Sequence, residues 1–156
     1  MILAMLLENL LCSLYDMFMD ILFVFIGGAL GALARYLILS VSDTLGMNLL
    51  SVFIINITGC FLIGFVSYVA IKRHNIISDN MNKMLSTGFA GGFTTFSGLT
   101  KPIHDLFVQS HWVLGVGSMF ANFIVGLIFV AWGMNVGYYF MSWLIRTNRI
   151  KWSKYD

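Results

Sequence analysis

Four apolar segments follow one another along this chain, and each is long enough to cross the hydrocarbon core of a bilayer. A helix needs about 20 predominantly apolar residues to span a core of about 30 Å. The four segments are residues 21–41, 49–71, 84–107 and 112–145. Hydrophobic residues make up 59% of the chain and charged residues only 10%. These features predict an all-α integral membrane protein with four transmembrane helices.

The two ends of the chain lie outside this predicted membrane domain of residues 21–145. Residues 1–20 form an N-terminal extension, and residues 146–156 form a basic C-terminal tail. The extension is apolar but is interrupted by Glu8, Asp16 and Asp20, and no positive region precedes it as in a signal peptide. Two interpretations stay open: an interfacial helix, or an assigned start that lies upstream of a true start at Met17 or Met19.

The placement of Lys and Arg predicts the orientation of the chain. With four spans, seven of the nine lie on the side of the termini, against Arg35 and Lys101 on the other side. The seven are Lys72, Arg73, Lys83, Arg146, Arg149, Lys151 and Lys154. The positive-inside rule then places both termini in the cytoplasm of a multi-pass plasma-membrane protein.

Residues 88–97, with the sequence GFAGGFTTFS, bring glycines, hydroxyls and aromatic rings together inside the third segment. We expect a break in the helix there. Non-helical backbone at bilayer depth is tolerated only where protein buries it or where it lines a polar cavity. Such a break is typical of an ion or solute site.

Small residues line the first two spans. Gly27 and Gly31, and then Gly59 and Gly64, form stripes that let helices approach closely, as expected in a compact and oligomeric bundle. Arg35, near the end of the first span, has two interpretations: it snorkels to the interface, or it anchors a buried polar network.

Several functional classes find no support in these residues. A net charge of +2 without a basic run among aromatics does not favour nucleic-acid binding. An organic-cation exporter would need an intramembrane carboxylate, and no Asp or Glu falls within the cores of the four spans. No paired base or set of metal ligands at a common depth suggests an enzyme.

Three motifs carry a family resemblance. Residues 27–36 (GGALGALARY), 56–64 (NITGCFLIG) and 88–97 resemble the three signatures of the Fluc (CrcB-type) fluoride channels, in order and at the family's spacing. The resemblance implies passive export of fluoride by two narrow pores in an antiparallel, dual-topology dimer. It also implies a structural sodium ion at the dimer interface, held by the backbone carbonyls of Gly91 and Thr94.

By the same resemblance, Asn56 and Phe96 line the fluoride path. Their chemistry suits a small anion, because an amide offers two neutral donors and an aromatic ring has a positive edge. Thr95 and Ser97 would add hydroxyl donors. Ser118 and Asn122 on the fourth helix are candidates to extend this polar track. Each has a plainer interpretation, since a membrane Asn often links helices, a Phe on a helix usually packs in the core or faces lipid, and hydroxyls often bond to the preceding turn.

The chain departs from the family pattern beside these residues. Leu99 stands where a second phenylalanine is usual, Gly98 where threonine is common, and Val52 where a hydroxyl residue is usual. A subunit that inserts in both orientations also needs a more even charge balance. We therefore expect a homologous partner of opposite orientation in a heterodimer. The alternative is that this chain is the non-conducting partner subunit.

Overall fold

The computed structural model of the protein describes residues 2–72 and 78–147, and every regular element in these two ranges is helical. The long elements are α1 (Ile2–Leu45), α2 (Asn48–Lys72) and α6 (Trp112–Arg146). Between α2 and α6 the chain forms five short pieces: α3 (Asp79–Asn82), a π-helical segment (Lys83–Ala90), α4 (Gly91–Phe93), a 3₁₀ turn (Ser97–Leu99) and α5 (Thr100–Val108).

Helices α1, α2 and α6 are each long and apolar enough to cross a membrane. The protein is therefore an integral membrane protein, as predicted from its composition. The third predicted span corresponds to the short pieces between Asp79 and Val108. The count of four spans and the antiparallel dimer stay predictions.

A tight turn reverses the chain between α1 and α2. Gly46 has a φ of +67°, a left-handed conformation that glycine adopts without steric penalty. The N–H of Met47 donates to the carbonyl of Ser42 at 3.1 Å and closes the end of α1. As a result α1 and α2 are antiparallel.

Helix α1 packs against the π-helical segment and α4 through the predicted glycine stripe. A β-carbon added at Gly27 would overlap the carbonyl oxygen of Met84, and one at Gly31 would overlap that of Phe89. From the other side, Gly92 lies against the backbone of Gly28. The prediction that small residues bring backbones into contact is confirmed for this helix pair.

Helices α2 and α6 form the second close pair. Gly64 lies against the carbonyl of Val130, and Gly133 against that of Phe61. Aromatic rings fill the space beside these glycines, with the centroids of Phe61 and Trp132 5.5 Å apart. This contact fixes the depth at which polar side chains of α2 meet those of α6.

Helices α1 and α6 are both longer than a membrane core. At 1.5 Å per residue, the 44 residues of α1 and the 35 of α6 measure about 66 Å and 52 Å. The N-terminal extension continues the first span without interruption, and α6 continues to Arg146. The predicted loop residue Arg73 and the tail residues Arg149, Lys151 and Lys154 lie outside the described residues.

Candidate functional site

The chain leaves helical conformation at residues 94–96, within the third predicted span. Thr94 is extended, with φ −71° and ψ 153°, and a 3₁₀ turn restarts the helix at Ser97. Gly88, Gly91 and Gly92 lie in helical backbone just before this point. Within the stretch 88–97, Gly88 and Gly92 thus serve close packing, while the threonines and Phe96 form the interruption.

The side-chain amide of Asn56 on α2 satisfies the backbone of Thr95 in this interruption. Its Oδ1 accepts from the N–H of Thr95 at 2.8 Å, and its Nδ2 donates to the carbonyl of Thr95 at 2.9 Å. Both side chains are buried. An unpaired peptide group would cost several kcal/mol at this depth, so Asn56 stabilises the break as a backbone partner would.

Asn122 on α6 completes a chain of amides. Its Oδ1 accepts the second hydrogen of Asn56 Nδ2 at 3.1 Å. The orientation of both amides follows from the backbone N–H of Thr95, which can only donate and so fixes Oδ1 of Asn56. The Nδ2 of Asn122 is then left as a donor, and it is buried without a hydrogen-bond partner. Asn122 as a whole residue is only 9% exposed.

Arg35 reaches the break from α1. Its Nη1 donates to the carbonyl oxygen of Thr94 at 3.2 Å, and its side chain is half-buried. This contact favours the anchoring interpretation of Arg35 over snorkelling. Three backbone groups of the break, on Thr94 and Thr95, therefore receive side-chain partners from α1 and α2.

The hydroxyls at the break are largely engaged with one another or with nearby backbone. Thr94 Oγ1 donates to the carbonyl of Ala90 at 2.9 Å, one turn back. Thr95 Oγ1 accepts from the N–H of Gly98 at 3.0 Å and lies 3.1 Å from Ser97 Oγ. Ser97 itself is exposed. The Thr94 hydroxyl thus bonds to the preceding turn, whereas the buried Thr95 and the exposed Ser97 form a hydroxyl pair at the break.

Phe96 projects from the interruption, with 74% of its surface exposed. It lines an open groove of about 320 Å³ together with the two amides. The other groove residues include Cys60, Thr95, Met119, Phe123 and Gly126. Asn122, whose Nδ2 is buried and unpaired, and the exposed Phe96 both line this groove, while both hydrogens of the Asn56 amide are already donated within the protein.

Ser118 does not join this groove. Its hydroxyl donates to the carbonyl of Gly115 at 2.8 Å, and it lines a separate apolar groove of about 410 Å³ with Leu49, Phe53 and Leu99. Of the two fourth-helix candidates, only Asn122 is brought to Asn56 and Phe96.

The carbonyl of Gly91 is suited to a cation. The amide that would bond it in a continued helix, that of Thr95, donates to Asn56 instead. Gly91 is exposed, and nothing lies within 4 Å of a β-carbon added there. Hard cations prefer oxygen ligands, and a carbonyl has two lone pairs, so Thr94 can still coordinate while it accepts from Arg35. Among the described residues, no group of three or more His, Cys, Asp or Glu side chains could hold a metal.

Two of the departures from the expected pattern, Val52 and Leu99, belong to an apolar cluster, and Leu99 also lines the groove. Val52 and Leu99 are each 2% exposed and pack with Ile103, with Phe107 at the edge. At Gly98, an added β-carbon would lie 2.6 Å from the methyl group of Thr95. Glycine at this position therefore leaves room for the Thr95 side chain, whose hydroxyl accepts from the N–H of Gly98.

The pairing of Asn56 with Thr95 is the feature that the sequence did not predict. Both residues were candidates, but as separate donors along one path. The hydrogen bonds between Asn56 and Thr95 require α2 to lie close to the break. Gly59 permits this approach, because a β-carbon added there would overlap the methyl group of Thr94. In the sequence, Gly59, one turn after Asn56, is the feature that indicates this close approach of α2.

The chain is similar in sequence to a family of known proteins. Residues 22–134 match the family model described as CrcB-like protein, Camphor Resistance (CrcB). The chain is 34% identical over 119 residues to the fluoride-specific ion channel FluC 2 of Staphylococcus saprophyticus, covering 76% of this chain and 97% of that protein. It is 34% identical over 127 residues to FluC of Desulfotalea psychrophila, covering 81% and 98%. With FluC of Acidobacterium capsulatum it shares 37% identity over 123 residues, covering 76% and 96%.

Proposed function

The chain belongs to the CrcB-like protein family, and from this membership we propose that it is a subunit of a fluoride-selective ion channel. It would let fluoride leave the cell passively and so lower the cytoplasmic fluoride concentration. The relatives that support the proposal are named fluoride-specific ion channels and are matched over nearly their whole length. The proposed activity is transport and involves no enzymatic step.

The observation that carries the proposal is the unpaired amide donor of Asn122 in the groove beside Phe96. A bare anion in a low-dielectric interior has an idealised cost of order 20 kcal/mol, so protein donors must replace its water. Asn122 offers a donor that no protein group uses, and the exposed ring edge of Phe96 can meet an anion in its plane. Asn56 supports this path by orienting Asn122, and the hydroxyls of Thr95 and Ser97 flank it.

Neutral donors also suit rapid transport. A fixed cation would hold fluoride firmly, whereas conduction needs sites weak enough for the ion to leave. Arg35 is the cationic side chain at the break, and its contact there is with the carbonyl of Thr94. We therefore assign Arg35 a structural role.

A sodium ion is proposed as a structural cofactor at the interface of two antiparallel subunits. The carbonyls of Gly91 and Thr94 would hold it, and the open surroundings of Gly91 fit this role. Two such carbonyl pairs, one from each subunit, would join the subunits without a carboxylate. In this arrangement the chain lies in the plasma membrane with both termini in the cytoplasm.

A second function is favoured by one specific observation. Val52, Leu99 and Ile103 form an apolar cluster beside the groove, and Leu99 itself lines the groove. This chain would then be the non-conducting subunit of a heterodimeric fluoride channel, and an oppositely oriented homologue would supply the complete pore. The seven-to-two bias of Lys and Arg favours such a partner.

Fluoride efflux from liposomes tests both functions. Purified chain alone, and chain co-purified with a homologous partner, are reconstituted and compared with protein-free liposomes. Flux from the chain alone that is strongly reduced by Phe96→Leu, a change at an exposed ring, supports a conducting subunit. Flux only with the partner, unchanged when Phe96→Leu is placed in this chain, supports the non-conducting role. Absence of fluoride flux in every preparation that retains folded protein would contradict both.

A further inference from the structure

The N-terminal part of α1 lies before the residues that match the family model, and it has a surface of its own. Every side chain described from Met5 to Phe18 is exposed. Seven of them are large and aliphatic or aromatic on one side of the helix: Leu6, Leu7, Leu10, Leu11, Leu14, Met17 and Phe18. Water would not stabilise such a surface, so something must cover it.

The residues of this extension divide into two faces. At 3.6 residues per turn, its polar residues fall within less than half of the helix circumference. They are Glu8, Asn9, Cys12, Ser13, Asp16 and Asp20. Met5 and Met19 share that side, Tyr15 lies at the boundary, and the seven large apolar residues occupy the other side. The helix is therefore amphipathic over residues 5–20, although α1 as a whole is apolar on all sides.

The polar face continues the side of α1 that meets the bundle. Asp20 forms an ion pair with Lys83 at the start of the π-helical segment. About two and three turns further along the same side, Gly27 and Gly31 lie against the same segment. A polar cleft of about 360 Å³ lies at this junction, between Asp16 and Asp20 of α1 and the residues around Asn80.

The apolar face continues the side of α1 that faces away from the bundle. Leu14, Phe18, Ile21 and Phe25 follow one another at spacings of four, three and four, which keeps them on one side of a helix. Phe25 is 71% exposed and Ile21 60% exposed. Within a membrane span these side chains can only meet lipid or another membrane protein.

We infer that the apolar face of residues 5–18 docks on the surface of the bilayer, at the boundary of headgroups and acyl chains. Because α1 is about 66 Å long, a single span leaves the extension outside a core of about 30 Å. Since α1 is one continuous helix, this docking requires α1 to bend outward from the bundle where it leaves the core, and the outward apolar face then meets lipid. Its polar face then meets water, which is the arrangement of an interfacial helix.

The charge of the extension specifies the kind of surface. Its charged residues are Glu8, Asp16 and Asp20, and the first Lys or Arg of the chain is Arg35. Interfacial helices that depend on anionic lipid carry Lys and Arg on the polar face. This helix should therefore bind a zwitterionic surface through its apolar residues alone. The inference rests on the membrane topology and is independent of fluoride transport.

The test uses the full-length protein in phosphatidylcholine vesicles, with Cys12 and Cys60 replaced by serine. One new cysteine is placed on each face, Leu14→Cys or Ser13→Cys, and carries an environment-sensitive fluorophore. Two quenchers are compared: a spin-labelled phosphatidylcholine, and iodide present on both sides of the membrane. We expect lipid to quench the Leu14→Cys label several-fold more than the Ser13→Cys label, and iodide to show the reverse order. Replacing part of the lipid with phosphatidylglycerol should not increase lipid quenching.

Equal access of iodide to both labels would overturn the inference, because the extension would then project into water. Protection of the Leu14→Cys label from both quenchers would also overturn it and would point to cover by protein, such as a second copy. If the first pair of variants does not fold, Leu10→Cys and Asn9→Cys repeat the comparison one turn earlier.

Discussion

The side-chain amide of Asn56 pairs with both backbone polar groups of Thr95, at 2.8 and 2.9 Å, across 39 residues of sequence. A helix interruption within a membrane needs such a partner, because no water replaces the lost helical hydrogen bonds. The same amide orients Asn122. One residue thus links the stability of the break to the presentation of a donor in the groove.

Asn56→Asp should disrupt both roles. A carboxylate keeps the acceptor for the N–H of Thr95 but places a second acceptor against its carbonyl, and an Asp at the centre of a span costs about 3 kcal/mol. We expect a lower melting temperature and a loss of fluoride flux of about 100-fold. Asn135→Asp is the matched control, since Asn135 is exposed and its amide bonds only to Ala131 one turn back. Equal effects of the two changes would contradict the assigned role.

Asn122→Leu tests the free donor separately from the break. The Asn56–Thr95 pair remains, so the protein should lose about 1 kcal/mol of stability, the value of one hydrogen bond. Fluoride flux should fall by about tenfold, as one interaction of similar size is removed from the ion's path. Ser118→Ala is the control, because the Ser118 hydroxyl is engaged by Gly115. Wild-type flux in Asn122→Leu liposomes would show that this amide serves only to join α2 and α6.

Phe96→Leu should separate transport from stability. The ring is 74% exposed and therefore contributes little to the packing of the subunit. We expect a nearly unchanged melting temperature and about tenfold lower fluoride flux, since leucine has no positive ring edge. Phe120→Leu controls for the loss of an exposed aromatic side chain on α6. A change in flux that is the same for both variants would argue against a ring-specific role.

The helices of the bundle were predictable because hydropathy and span length identify them directly. Residues 21–41 and 49–71 fall within α1 and α2, and 112–145 matches α6 closely. The position of the interruption was less predictable. Glycine weakens a helix in water, but in a membrane Gly88 and Gly92 are held helical by close contact with Val24 and Gly28.

The candidate site was predictable as a set of residues and not as an arrangement. Asn56, Thr95, Phe96 and Asn122 all meet at one groove. The partner of each amide hydrogen depends on the distances between three helices. The spacing of residues along the sequence does not predict those distances. Ser118 illustrates the limit: it lies one turn from Asn122, but its hydroxyl bonds to its own helix.

Gly133→Ala should separate α6 from α2. An added β-carbon there would overlap the carbonyl of Phe61, which belongs to the backbone and cannot move aside cheaply. Overpacking of this kind costs about 1–3 kcal/mol. Gly117→Ala is a control on the same helix, since nothing lies within 4 Å of its added β-carbon. We expect a lower melting temperature for Gly133→Ala, and an unchanged or slightly higher one for Gly117→Ala because alanine favours helix.

Arg35→Leu should loosen the break from the side of α1. The carbonyl of Thr94 would lose a charge-assisted hydrogen bond, worth about 1.5–3 kcal/mol, and would be left without its side-chain donor. Amide hydrogen exchange should therefore rise at residues 94–98 and change little in α6. Arg35→Lys keeps the charge and should restore part of the protection, whereas Lys101→Leu controls for the loss of an exposed cation nearby in sequence. Unchanged exchange at residues 94–98 in Arg35→Leu would contradict the anchoring role, because snorkelling to the interface would leave the break independent of this side chain.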